Sequence, residues 1–329
     1  MNTTRRRLIL GAIPGAILGA GIALTGVARP ARAADAAPIR MGYIADYFGA
    51  SIAAIATEQG LWERHGLAPE LKVFTNGPIQ VQALNAGSLD FAYIGPGALW
   101  LPASGQARII AVNALGNTDR VIAQPGIDGL AGLRGRKVGV PEGTSGDMLL
   151  RLALERAGMA PGDIEVVRMD PPTIVTAFAS GQIDGAGIWY PFVDVIRQRV
   201  PGLHEFASNA DFFPDIAFPS SFIVGEAKAR DTELVGRVIA VIKQAGDWRR
   251  EHPAEAVAIT ARFLGVPETP LLAESRLATL PSSAELEALT REGKVAQWFD
   301  RLAGLYASFG KIEKPLPASE FYLGQLYAP

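Results

Sequence analysis

The sequence contains no cysteine and only three histidines, His65, His204 and His252, in 329 residues. The absence of cysteine excludes a disulfide framework, a thiolate metal centre and a lipid-modified cysteine. The histidines are far apart and show no HxxxH or similar spacing, so they do not suggest a zinc site. The sequence also lacks a G-x-S-x-G nucleophile elbow and a G-x-x-x-x-G-K-[ST] phosphate-binding loop. We therefore predict that the protein is not an enzyme and uses no cofactor.

The sequence also lacks an excess of positive charge. It has 31 basic and 33 acidic residues, which gives a formal net charge of −2. Nucleic-acid binding requires a basic surface, so we predict no nucleic-acid partner. With 49% hydrophobic and 19% charged residues, the chain has enough apolar side chains to form a packed core.

The first 33 residues have the composition of an export signal. Three arginines at 5–7 precede an apolar run at 8–28, and the A-R-A sequence at 31–33 is a typical cleavage site. The stretch "TRRRLIL" resembles a twin-arginine export signal. An uncleaved membrane anchor is the alternative, since the run is nearly long enough to span a bilayer, but it is interrupted by Pro14 and several glycines. We predict cleavage near Ala33-Ala34 and a soluble periplasmic protein.

Strand and helix patterns alternate twice along the rest of the chain. The order strand, helix, strand, helix, strand is predicted between residues 38 and 95, and it is predicted again from about residue 129 to 189. Such alternation is typical of βαβ units and a mainly parallel sheet. The fold class is therefore α/β.

The second halves of these two series of strands and helices are similar to each other in sequence. "ALNAGSLDFAYIG" at 83–95 aligns with "AFASGQIDGAGIW" at 177–189 after a shift of 94 residues. A helix, a glycine and a strand in that order are common in α/β proteins, and this remains the alternative explanation. Because the order of elements before both copies also agrees, we predict two similar α/β lobes.

After a strand at 220–226 the pattern becomes helical, with predicted helices at 231–250, 253–264, near 270–277 and 284–308. We expect this tail to pack on the first lobe, so that two crossings, near 120–126 and 220–225, form a two-stranded hinge. The predicted parts are the signal at 1–33, the first part of lobe 1 at 34–124, lobe 2 at 125–222, and the return to lobe 1 with the helical tail at 223–329.

Four segments follow predicted strands and would face one cleft, because ligands of open α/β sheets bind beyond the carboxyl ends of the strands. Three of them lead into helices, whose first N–H groups attract anions. For Thr144 and Ser145 an N-cap role is equally compatible, and for Trp189 and Tyr190 the alternative is core packing. The segments are 45–51, 95–99, 141–147 and 189–191.

The stretch "IEVVRMDPPTIVTAFASGQIDGAGIWYPFV", together with "AGSLDFAYIGPGAL" and "GNTDRVIAQPGI", resembles the periplasmic taurine and aliphatic-sulfonate binding proteins. These are solute receptors of ABC importers and relatives of nitrate and thiamine-precursor binding proteins. The resemblance implies a two-lobe, type II-like periplasmic binding fold that closes around a small sulfonate-like anion. It also implies a monomer that delivers this ligand to an ABC permease in the membrane.

The resemblance also implies a ligand-binding set. The sulfonate would be held near Gly97 and by Thr144 and Ser145, and the two acids that taurine receptors use for the ammonium group are replaced by Phe48 and Ser220. The complete predicted set is Asp46, Tyr47, Phe48, Pro96, Gly97, Thr144, Ser145, Trp189, Tyr190 and Ser220.

Other ligands and roles stay open. Phe48, Tyr47 and Phe218 would suit an alkyl or aromatic sulfonate without an amine, whereas Asp46 and Asp147 would suit a cationic ligand. The same fold could serve as a sensor. An enzyme of the thiamine-pyrimidine type is a further alternative, but that type relies on histidine and cysteine residues that this chain lacks.

Overall fold

The computed structural model describes residues 36–329. The predicted export signal and its cleavage site lie outside this range. Within it the chain forms eleven strands and fifteen helices, and no helix of this part is both long and apolar enough to cross a membrane.

The strands are β1 (Ala37–Ile44), β2 (Leu67–Phe74), β3 (Phe91–Ile94), β4 (Arg108–Gly116), β5 (Asp119–Ala123), β6 (Lys137–Val140), β7 (Glu165–Arg168), β8 (Gly185–Trp189), β9 (His204–Ser208), β10 (Pro219–Val224) and β11 (Ala278–Thr279). The helices are α1 (Tyr47–Glu58), α2 (Leu61–Arg64), α3 (Gly77–Asn85), α4 (Trp100–Ala103), α5 (Ser145–Arg156), α6 (Pro171–Ala179), α7 (Phe192–Arg199), α8 (Glu226–Ala229), α9 (Thr232–Glu251), α10 (Pro253–Leu264), α11 (Glu268–Ser275), α12 (Ser283–Arg291), α13 (Lys294–Ser308), α14 (Ala318–Phe321) and α15 (Gly324–Tyr327).

Two mixed sheets organise these elements. The first has the strand order β11-β4-β10-β3-β1-β2, with β1 parallel to β2 and β3 and with β10 antiparallel to β3 and β4. The second has the order β7-β6-β8-β5-β9, with β6 parallel to β7 and β8 and with β5 antiparallel to β8 and β9. Each sheet therefore consists of a parallel set of three strands followed by antiparallel strands.

The predicted repeat corresponds to equivalent elements in the two sheets. Helix α3 and helix α6 have bounds that differ by the same 94 residues at both ends, and strands β3 and β8 follow them. Each helix is separated from its strand by a turn containing a glycine with positive φ, 69° at Gly87 and 70° at Gly181. Glycine adopts this backbone conformation without steric cost, which explains why it occurs at both positions.

The predicted lobe boundaries need correction. The predicted first part of lobe 1 ended at residue 124 and included residues 119–123, which were not predicted as a strand, but these residues form β5 and pair within the second sheet. Strand β10 was divided at residue 222, but all of it pairs within the first sheet. The chain therefore passes between the sheets before β5 and again before β10. The division into hinged lobes itself stays a prediction.

The helical tail packs on the first sheet, as predicted. Phe299, Leu302 and Phe321 are buried in the same apolar cluster as Ile109 of β4 and Phe222 of β10. The single helix predicted over 284–308 is in fact two helices, α12 and α13. Gly293, with a φ of 76°, separates them and lies at the start of α13.

Candidate functional site

A cavity lies beyond the carboxyl ends of the parallel strands, and both sheets contribute to its wall. It contains about 580 Å³ of space free of atoms, part of which is open to solvent. The lining residues are Ile44, Asp46, Phe48, Gly77, Pro78, Tyr93, Gly95, Pro96, Ala98, Ala114, Gly116, Thr118, Asp119, Thr144, Ser145, Trp189, Ser220 and Glu274.

Two carboxyl groups meet at the start of α1. Asp46 is the N-cap residue, and its Oδ1 accepts a hydrogen bond of 2.6 Å from the backbone N–H of Gly49. Glu274, from α11, accepts a hydrogen bond of 2.9 Å from the backbone N–H of Tyr47 through Oε2. Both carboxyls thus satisfy the otherwise unpaired N–H groups of one helix end. Both are buried, with exposures of 5% and 1%.

A third carboxyl, Asp119, lies at the start of β5 in the second sheet. Its Oδ2 accepts a hydrogen bond of 3.0 Å from the side-chain amide of Asn209, whose Oδ1 accepts one of 2.8 Å from the backbone N–H of Asp119. Its other oxygen, Oδ1, is buried and accepts no hydrogen bond of good geometry, although the Ser145 hydroxyl is near enough to lower the pKa of Asp119. Since an unpaired buried acceptor is costly, this oxygen is available to a donor in the cavity.

Burial shifts the protonation of all three acids. It raises the pKa of Asp46 to about 7 and that of Asp119 to about 6. Burial, followed by the charge of Asp46, raises the pKa of Glu274 well above its ordinary range. The physical cause is that water, which stabilises a carboxylate, is largely excluded from the cavity wall.

The start of α5 supplies fewer free donors than the sequence suggested. The Thr144 hydroxyl donates to the carbonyl of Pro141 at 2.6 Å, and Thr144 does not cap the helix through its side chain. The N–H of Gly143 donates to Asp147, which also pairs with Arg151. Asp147 is therefore engaged within its own helix start and does not line the cavity, whereas Ser145 does.

Aromatic side chains form the apolar part of the wall. Phe48 follows Asp46 in the first turn of α1, Tyr93 ends β3, and Trp189 ends β8. Trp189 packs edge to face against Phe192, with ring centroids 5.9 Å apart. These rings offer flat apolar surfaces, and a protonated nitrogen above such a ring gains cation–π attraction.

The structure brings seven of the ten predicted site residues into the cavity wall and leaves three outside it. Tyr47 points into the core of the first sheet. Gly97 packs against α5, and Tyr190 bonds to Glu205 and Arg197 through its hydroxyl group. The seven residues in the wall are Asp46, Phe48, Pro96, Thr144, Ser145, Trp189 and Ser220.

Sequence reasoning missed Glu274, Asp119 and Tyr93. Glu274 lies in a helix of the tail, 227 residues from its partner Tyr47, so no local pattern connects it with the site. Asp119 was not identified because β5 was not predicted as a strand, so nothing in the sequence placed this residue next to the cleft. A signal existed for Tyr93, since it lies near the end of a predicted strand, where side chains face the cleft.

Three contacts join the two sheets next to the cavity. A Cβ atom at Gly97 would lie 1.8 Å from the backbone N of Ser145, so only glycine permits this approach. Trp100 Nε1 donates to the carbonyl of Gly143 at 3.1 Å. The hydroxyl of Tyr306, from α13, donates to the carbonyl of Gly97 at 2.6 Å and lies 3.0 Å from the sulfur of Met148 in α5. These contacts connect the elements on the two sides of the cavity.

One buried cation lies behind the wall. Arg249, from α9, donates to the Ser51 hydroxyl and to the Asn113 carbonyl and side-chain oxygens, at 2.9 to 3.0 Å. The Asn113 amide in turn donates to the carbonyl of Phe48 and to the Ser220 hydroxyl. Arg249 thus supports the wall through Asn113 and does not line the cavity.

Metal binding receives no support from residues 36–329. In that range no three His, Cys, Asp or Glu side chains are close enough to hold a metal ion.

Known proteins resemble this chain in sequence and in fold. The family described as NMT1/THI5 like matches residues 50–256. A Brucella abortus protein, named only provisionally as a binding protein, is 56% identical over 295 residues, covering 89% of this chain and 92% of its own. The taurine-binding periplasmic protein of Escherichia coli is 30% identical over 136 residues, 40% of this chain and 42% of its own.

The crystal structure of the periplasmic aliphatic sulphonate binding protein SsuA from Escherichia coli superposes with a TM-score of 0.69. It covers 88% of this chain and 99% of its own, at 21% identity. At this identity the likeness establishes the fold alone, which is the predicted fold of periplasmic binding proteins.

Proposed function

Because this chain belongs to the NMT1/THI5-like family and is similar to proteins named as periplasmic or sulfonate binding proteins, we propose that it captures a small organic solute in the periplasm and delivers it to a membrane permease. The chain is a binding protein and not an enzyme. The observation that carries the proposal is the enclosed cavity, which is lined by residues of both sheets at the carboxyl ends of their parallel strands.

The proposed mechanism is closure. A ligand that contacts Asp46 and Phe48 on one side and Ser145 and Trp189 on the other binds the closed arrangement better than an open one. It therefore shifts the population toward the closed form by the difference between the two affinities. The two chain passages before β5 and β10 are where the backbone would bend.

A sulfonate-like anion is the ligand class predicted from the sequence, and it is one candidate ligand class for this cavity. It is supported by the relatives named for taurine and aliphatic sulfonates. Ser145 supplies a hydroxyl donor at a helix start. A sensor with the same cavity would bind its ligand in the same way and would differ only in its membrane partner.

Closure is tested by small-angle scattering and thermal melting of protein purified from the periplasm. A ligand at a hundred times its dissociation constant adds about 2.7 kcal/mol, which raises the melting temperature by several degrees. We expect a stabilising ligand to decrease the radius of gyration as well. A tight ligand that stabilises the protein without compacting it would contradict the closure mechanism.

A further inference from the structure

We propose that the solute is a small organic cation whose protonated amine or amidine is held by Asp46, Asp119 and Glu274. This inference rests on the proposed function, because it names the ligand class of the same cavity. It departs from the sequence-based prediction of a sulfonate as the recognised group.

The first argument is the charge of the wall. Three carboxyls, from α1, α11 and β5, are at least 95% buried around one space. Among the described residues that line it, none is a lysine, arginine or histidine. Burial disfavours the ionised form of each acid, which raises their pKa values. A cationic ligand would favour the ionised form by pairing with the acids.

The nearby arginines do not neutralise the three acids directly. Arg249 is bonded to the uncharged acceptors Ser51 and Asn113. Arg120, which follows Asp119 in β5, forms an ion pair with Glu205 at 3.0 Å. Neither arginine forms an ion pair with the three acids, although the charge of Arg120 partly offsets the rise that burial causes in the pKa of Asp119. A cationic ligand would supply a direct partner.

The second argument is an unpaired acceptor. Asp119 is 2% exposed, yet its Oδ1 atom accepts no hydrogen bond of good geometry while Oδ2 accepts from Asn209. Native proteins rarely leave a buried carboxylate oxygen unpaired without a functional reason. An N–H donor of a ligand would satisfy this atom, which favours a protonated amine or amidine over a quaternary ammonium ion.

The wall of the cavity is partly aromatic. Phe48, Tyr93 and Trp189 provide aromatic faces in the same wall. The cavity therefore fits a cation with an apolar or aromatic body.

A sulfonate alone does not match this wall. The Thr144 hydroxyl donates to Pro141, and the Gly143 N–H donates to Asp147. Gly97 packs against the backbone of Ser145 instead of facing the ligand. Two donors next to the helix start expected to bind an anion are thus engaged, and three acidic side chains line the cavity that a sulfonate would enter.

Binding should release protons. The pKa values of Asp46 and Asp119, raised by burial, place part of these acids in the neutral form near pH 6 to 7, and a cation favours the ionised form. Affinity for a cation should therefore rise with pH between about 5 and 8. The other titratable or charged groups that face the three acids are Tyr47, Tyr93, Tyr306, Arg120 and Arg249. Burial raises the pKa of all three tyrosines, so they stay neutral in this range.

The test uses matched probes on protein purified from the periplasm: benzylamine with benzyl alcohol, benzamidine with benzamide, and taurine with isethionate. We expect that only nitrogen-bearing cations raise the melting temperature, and more so at pH 8 than at pH 5. In the variants Asp119→Asn and Glu274→Gln, the apparent affinity for these cations, obtained from the melting shifts, should fall at least about tenfold. Both replacements keep an oxygen acceptor for the existing hydrogen bonds. The control Asp90→Asn, remote from the cavity and paired with Arg40, should respond like the wild type.

The outcomes separate the two proposals. If isethionate stabilises and compacts the protein while no amine or amidine does, the cation inference is overturned and the solute-receptor function stands. If no probe of either class stabilises or compacts it, both are overturned. Mass spectrometry of small molecules released on denaturation gives an independent answer. A compound with a basic nitrogen would support the inference, and an anion without one would overturn it.

Discussion

The clearest consequence of the buried acids is that Asp46→Asn should stabilise the ligand-free protein at neutral and alkaline pH. Burial raises the pKa of Asp46 from an ordinary value of 3.8 to about 7. The folded protein therefore holds a proton that the unfolded chain releases between these values, so wild-type stability falls as pH rises through this window. The pKa is raised by about three units, and each unit is worth about 1.4 kcal/mol. Ionisation of Asp46 therefore lowers the free energy of unfolding by about 4 kcal/mol at pH values above this window.

Asparagine removes this titration and keeps the local structure. It is as good an N-cap as aspartate, and its side-chain oxygen can still accept from the N–H of Gly49. At high pH the variant also loses the attraction between a carboxylate and the helix dipole. This loss reduces the expected gain in unfolding free energy by about 0.3 to 1 kcal/mol. We therefore expect Asp46→Asn to match the wild type near pH 4 and to exceed it by about 3 kcal/mol at pH 8.

The assay is urea unfolding of both proteins, followed by tryptophan fluorescence at half-unit steps from pH 4 to 8.5. Asp90→Asn is a control with the opposite sign. Although burial alone raises the pKa of Asp90, hydrogen bonds and the charge of Arg40 hold it below its ordinary value. That variant should lose stability above about pH 4. A stability difference between Asp46→Asn and wild type that does not change with pH would refute the reasoning.

Three further variants test the closing contacts and the support of the wall. Gly97→Ala places a Cβ 1.8 Å from the backbone N of Ser145. Ligand affinity measured by calorimetry should therefore fall about tenfold or more. Unchanged affinity would contradict the close approach of the Gly97 and Ser145 backbones. Tyr306→Phe loses the hydrogen bond to Gly97, which should lower the unfolding free energy by about 1 kcal/mol in urea titrations. Arg249→Met leaves the buried acceptors of Asn113 unpaired and should cost about 3 kcal/mol or more in the same titrations, and a neutral result would mean that this arginine is not a structural support.

Local signals predicted the repeated part of the fold well. Helices α3 and α6 begin near prolines and are followed by turns at Gly87 and Gly181, and both pairs were visible in the sequence. Helix α10 was predicted with its observed bounds for the same reason, since proline begins it and Gly265 ends it. Proline and glycine act on the backbone of their own segment, so their effects can be read without knowing the tertiary structure.

Pairing between distant strands could not be read in that way. Strands β5 and β9 are short and pair with each other across more than 80 residues, and β10 inserts between β3 and β4. Their positions depend on partners that no short sequence window contains. For this reason the predicted lobe boundaries fell one strand away from the observed passages between the sheets.

The sequence by itself determined the α/β class, the repeat, the cleft at the strand ends and several residues of its wall, because these depend on local periodicity and turn chemistry. Only the tertiary structure decided the charge of that wall. Glu274 reaches the start of α1 from the distant tail, and Asp119 arrives from the second sheet. The burial of three acids around one space is a property of the packed chain, since desolvation depends on every element that excludes water from them.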